Sequence, residues 1–127
     1  MKKILMFFVT VLALSLTSCK FVRTEASVDV QVLENGYSVG EGVQVYIFSD
    51  GADYTDKTKA KRSMATDASG VAFFPLQSPI DFAPGWMADQ YYTFIFAIFN
   101  DNGTVADRTA VSVTNGDMHK PVTLSFN

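Results

Sequence analysis

Short runs of alternating apolar and polar residues, each closed by a turn signal, constrain this chain more than any other feature. Val28, Val30 and Val32 alternate with Ser27, Asp29 and Gln31, the period-two pattern of a strand buried on one face. Glu34-Asn35-Gly36-Tyr37 follows, and its Asn-Gly pair tolerates the positive φ of a tight turn. Val43, Val45 and Ile47 mark one face of a second strand, and the polar stretch 49–62 reads as a loop. Residues 63–67 fit a short strand. Asp67-Ala68-Ser69-Gly70 then turns into Val71-Ala72-Phe73-Phe74, and Pro75 ends that strand or places it at an edge. A long connection, 77–89, contains Pro79, Pro84 and Gly85, and 90–100 reads as the longest strand. Asp101-Asn102-Gly103 and Asn115-Gly116-Asp117 bracket a strand within 104–114, and Val122, Leu124 and Phe126 alternate in the last one. No segment carries a helical period, and there is no internal repeat. About seven short strands between turns predict an all-β fold, a single seven-stranded antiparallel Greek-key sandwich of Ig-like architecture.

The strand at 90–100 poses a packing problem. Tyr92, Phe94, Phe96 and Ile98 share one face, and Tyr91, Ile95, Ala97 and Phe99 share the other. A two-layer sandwich buries one face of each sheet, so the second apolar face must be covered or left to bind. The 77–89 loop, with Ile80, Phe82, Trp86 and Met87, is one candidate cover. A partner protein or a second copy of the chain is another.

Upstream of the first strand, Met1-Lys2-Lys3 gives a positive end and residues 4–16 are apolar except for Thr10 and Ser15. That is the charged region and short apolar core of a secretory signal, and it falls short of the roughly twenty apolar residues of a membrane span. Leu16-Thr17-Ser18-Cys19 closes it. This tetrapeptide resembles the lipobox of bacterial lipoproteins, in which an apolar residue and two small ones lead into a cysteine. The resemblance implies that Cys19 carries a lipid, that residues 1–18 are removed, and that 19–26 tether the domain 27–127 to a membrane. Cys19 is the single cysteine, so no disulfide forms within the chain and an exported fold must rely on packing. An ordinary secreted protein with an incidental cysteine is the competing reading, but an unpaired cysteine in an exported chain calls for an explanation. In the enterobacterial pattern an aspartate after the cysteine favours the inner membrane. Lys20 stands there instead, which points to the outer membrane. Lys20-Phe21-Val22-Arg23 also departs from the acidic cluster of surface-displayed lipoproteins, which favours the periplasmic side.

A second resemblance covers the domain. Gly40-Glu41-Gly42-Val43-Gln44-Val45-Tyr46, followed by the hairpin-like Thr66-Asp67-Ala68-Ser69-Gly70-Val71-Ala72-Phe73, is similar to the carboxypeptidase-regulatory and Cna B-type domain group. Tyr92-Thr93-Phe94 and Val122-Thr123-Leu124 fit the same order. The resemblance implies a transthyretin-like (prealbumin-like) sandwich and says almost nothing about function. Some Cna B-type domains carry a Lys–Asn isopeptide bond. No lysine lies in the stretch 28–33, so the bond is not carried over.

Of the function classes, nucleic-acid binding goes first. Removing residues 1–18 leaves 109 of the 127 residues, and the loss of Lys2 and Lys3 leaves 8 basic against 13 acidic side chains, a net charge of −5. That lacks the basic stripe a nucleic-acid binder shows. An enzyme is the weakest reading. His119 is the sole histidine and a lone imidazole supports no triad, so it reads as a surface residue beside a turn. No cofactor is implied. Asp50, Asp53 and Asp56, at intervals of three, are weak candidates for a calcium site, set against the simpler reading of a solvated loop balanced by Lys57, Lys59, Lys61 and Arg62. Tyr54, Phe82, Trp86 and Tyr91 are the candidate partner or ligand surface. Three functions remain: a non-catalytic envelope lipoprotein presenting a sandwich to an envelope protein or a second copy, a glycan- or small-ligand-binding lipoprotein using loop aromatics, and a calcium-stabilised structural module.

Overall fold

The structure is a computed structural model that describes residues 25–77, 81 and 91–127. Eight strands are present among these residues: β1 (Glu25–Glu34), β2 (Tyr37–Ser38), β3 (Gln44–Ser49), β4 (Arg62–Ala65), β5 (Val71–Gln77), β6 (Tyr92–Phe99), β7 (Val105–Val113) and β8 (Lys120–Phe126). One sheet is centred on β1, which pairs with β5 and β2 antiparallel and with β8 in parallel. The other runs β4-β3-β6-β7, all antiparallel. The fold is therefore an all-β sandwich, and it departs from the expected pattern in three ways. The two-residue β2 raises the strand count to eight. β8 lies parallel to β1, with Val30 opposite Val122, so the fold is not wholly antiparallel. The strand expected to be longest has 8 residues, against 10 in β1.

The alternation does what period two requires. Val28, Val30 and Val32 of β1 meet Ile47, Phe94, Phe96, Ile98, Phe74, Leu76 and Leu124 in one continuous core between the sheets. Phe74 and Phe96 cross the interface edge to face, with ring centroids 5.1 Å apart. Neither ring is exposed, and each contributes on the order of 2–3 kcal/mol by burial. At Glu34-Asn35-Gly36-Tyr37 the turn is as expected. Asn35 (φ 54°) and Gly36 (φ 83°) take the left-handed conformation, so Glu34 pairs with Tyr37 across a two-residue turn.

The segment 66–70 behaves differently from a hairpin within one sheet. It is the corner at which the chain leaves β4 in one sheet for β5 in the other. Thr66, 2 % exposed, secures it: its Oγ1 donates to the Gly40 carbonyl at 2.6 Å and accepts from the Val43 amide at 3.0 Å. The Asp67 carboxylate accepts from the amides of Ser69 and Val71. Gly70, at φ +77°, lies where a Cβ would come within 2.3 Å of Ser38 Oγ, so the position requires glycine.

β5 is an edge strand, as Pro75 allows, and the outward side of its backbone is almost fully claimed. The Val71 amide goes to Asp67 Oδ1 and its carbonyl accepts from the Asp67 amide. Pro75 has no amide hydrogen and its carbonyl accepts from Arg62 at 2.6 Å. The Gln77 amide goes to Asp81 Oδ2 and its carbonyl accepts from the Asp81 amide. The same aspartate, its side chain 2 % exposed, pairs with Arg62 Nη1 at 2.7 Å, so one ion pair links β4 of one sheet to the end of β5 in the other.

Candidate functional site

The second apolar face of β6 is covered by the loop 50–61. Phe48 and Ala97 are fully buried there and Ile95 nearly so, with Tyr46, Ala52, Tyr54, Ala60 and Phe99 packed around them. The loop turns at Gly51 (φ 83°), passes through a 3₁₀ turn at Lys57–Lys59, and returns to the sheet where the Lys61 amide donates to the Ile47 carbonyl at 2.8 Å. The stretch read as a solvated loop is thus a lid over a second small core. The 77–89 loop is not needed for that role on the Ile95–Phe99 side.

This changes the part assigned to Tyr54. It is partly buried, packs on the small core and carries the Arg108 guanidinium 4.4 Å above its ring. Tyr54 is a pin holding the lid, not an exposed platform. The carboxylates of the same loop are engaged locally. Asp53 accepts from the Thr55 amide and hydroxyl, and Asp56 accepts from the Thr58 amide and hydroxyl, capping the 3₁₀ turn. In each case the hydroxyl bond, then the amide bond, holds the carboxyl below its ordinary range. Among the described residues no three His, Cys, Asp or Glu side chains converge as a metal site would need. Asp50, Asp53 and Asp56 are therefore not brought together.

His119 immediately precedes β8, at φ 54°. Its backbone amide donates to the buried Ser27 hydroxyl at 2.6 Å, while its exposed ring meets the Asp29 carboxylate at 3.1 Å and stacks on Phe73 with centroids 5.5 Å apart. Serine, histidine and aspartate are thus close together, but Ser27 Oγ accepts from the His119 backbone amide and the ring meets Asp29 through Nδ1. The arrangement is a strand-start clamp. Phe73, 43 % exposed, and Met118, 57 % exposed, extend an apolar surface beside it that the sequence reading missed. The signal was available: in Phe73-Phe74 one ring must face outward if the other is in the core.

Tyr91 remains an exposed aromatic, at 70 %. Cys19, Phe82 and Trp86 lie outside the described residues, as do the signal segment 1–18 and most of the tether 19–26. Among the described residues no helix is long and apolar enough to cross a membrane.

No protein-family model and no curated protein sequence matches the chain. Among solved structures the fold is similar to one titled "The Bacillus anthracis TIE protein", at 11 % identity and a TM-score of 0.48. The match covers 81 % of this chain and 16 % of that one, so the chain spans about a sixth of that protein's length.

Proposed function

We propose that the chain is a non-catalytic lipoprotein of the cell envelope, anchored through Cys19 on the periplasmic side of the outer membrane, whose sandwich domain 27–127 contacts an envelope protein. The observation that carries this reading is Leu16-Thr17-Ser18-Cys19 at the end of a short apolar run that follows Lys2-Lys3. Two acyl chains on that cysteine would hold the domain stably, since each buried methylene contributes about 0.8 kcal/mol. The transthyretin-like form of the sandwich belongs to the same proposal. The exposed rings of Tyr37, Phe73 and Tyr91 are suited to contact, because aromatic side chains give large contact area at low entropy cost. The use of Ser27 and His119 as a strand clamp supports a non-catalytic role.

Metabolic labelling with an alkynyl fatty acid and mass spectrometry of the mature amino end test the anchor. Label on the wild-type chain and none on Cys19→Ser is the expected result, and a mature chain bearing a free thiol would overturn it. Photo-crosslinkers at positions 37, 73 and 91 test the contact. One envelope protein should be captured reproducibly, and capture no greater than that of an unrelated lipoprotein at all three positions would refute the contact role.

A further inference from the structure

One end of the sandwich holds a cleft of about 620 Å³ between the ends of β1 and β8 in one sheet and the start of β3 and end of β6 in the other. That volume is within the roughly 300–1,000 Å³ of ligand clefts. Its apolar surface comes from Val39, Val43 and the partly buried rings of Tyr46, Phe99 and Phe126. Tyr46 and Phe99 stand edge to face at 5.2 Å, fixed by the small core behind them. Glu34, Gln44, Lys57 and Asp101 also line the cleft. Among the described residues these four side chains make no hydrogen bond or ion pair, although each is exposed.

The mixture selects a ligand class. One ammonium against two carboxylates disfavours an anion. The Lys57 ammonium lines the same cleft as the two carboxylates, and no three metal-ligating groups converge among the described residues, which disfavours a metal ion. An apolar ligand would leave the polar lining unpaired. A hydroxyl group donates one hydrogen bond and accepts others, so a molecule rich in hydroxyls satisfies carboxylates, the ammonium and amides together. Its C–H faces suit the ring surfaces. We infer that this cleft binds a short neutral oligosaccharide. The inference is independent of the envelope address, and it moves the glycan reading from the loop aromatics to residues none of which was singled out in the sequence as a ligand site.

The test uses the full chain purified in detergent and four probes: maltohexaose, cellohexaose, laminarihexaose and chitohexaose at millimolar concentration. Saturation-transfer NMR and calorimetry should show binding of at least one. Loss of the charged acceptor in Asp101→Ala should weaken that binding about tenfold, and loss of the neutral amide in Gln44→Ala about fivefold, with the melting temperature of both variants unchanged. Tyr91→Ala, roughly 26 Å away just before the other end of β6, should bind as wild type. Absence of binding to all four probes overturns the inference. So does binding that is indifferent to Gln44 and Asp101, or binding that Tyr91→Ala abolishes.

Discussion

Replacing Thr66 by valine isolates the corner between the two sheets. The substitution keeps the shape of the side chain and removes one hydroxyl, which is 2.6 Å from the Gly40 carbonyl and 3.0 Å from the Val43 amide. Thr66 is 2 % exposed, so water cannot replace the hydroxyl, and both backbone groups lose their partner in a partly buried setting. Leaving a buried polar group unsatisfied costs about 1–3 kcal/mol. Two such groups, neither fully buried, give an expected loss of about 2–4 kcal/mol. For a domain near 100 residues each kcal/mol lowers Tm by roughly 4–8 °C, so chemical and thermal denaturation should both register the change. Thr66→Ser keeps both hydrogen bonds and gives up only a methyl group, at a cost of about 1 kcal/mol. The order wild type, serine, valine is the signature of the hydrogen bonds. A valine variant as stable as the serine variant would refute the reasoning and show the corner to be held by its turn residues alone.

Other outcomes follow from the same geometry. Asp81→Ala should lower stability by about 2–3 kcal/mol in urea titrations, because it strands Arg62 at the sheet junction and frees the Gln77 amide. Tyr54→Ala should unpin the lid over Phe48, Ile95 and Ala97, so trypsin should cleave after Lys57, Lys59 or Lys61 several times faster while the main core melts nearly as before. Acid should loosen the same loop. The Asp53 and Asp56 carboxyls titrate below their ordinary value of 3.8 in the folded chain. Their contribution is therefore complete above that value and lost as pH falls through the lowered one. Protection of the Thr55 and Thr58 amides against exchange, taken relative to the intrinsic rate at each pH, should fall in that window and stay constant between pH 5 and 8, and Asp53→Asn should remove the Thr55 part of the response.

The strands were legible because burial on one face writes period two into the sequence, and Val28, Val30 and Val32 could hardly be read otherwise. The two faces of β6 were legible for the same reason. What covers the outer face was not. Ala52, Tyr54 and Ala60 are three apolar residues scattered among charges, and their common destination depends on a turn at Gly51 and a cap at Asp56 that bring the loop back over the sheet. The parallel pairing of β8 with β1 joins residues about 90 positions apart, and no local pattern encodes a partner at that distance. The Thr66–Gly70 turn carried hairpin residues, but the same residues also build a corner, and only the burial of Thr66 decides between them.

The guarded edge of β5 has a consequence for how the domain behaves in the company of its own kind. Strand-by-strand growth between molecules needs successive free amides and carbonyls along an edge. On β5, Phe73 alone among the outward-facing residues has no hydrogen-bond partner for either group among the described residues, since Asp67, Arg62, Asp81 and the ring of Pro75 account for the others. A single free position cannot template a neighbour. Copies held side by side at high density, as on a surface, can therefore jostle without knitting into a shared sheet through this edge. Any self-association there must run through side chains such as the ring of Phe73, where one substitution reverses it, while loss of Asp81 exposes the backbone and turns a crowded layer into a seed for aggregation.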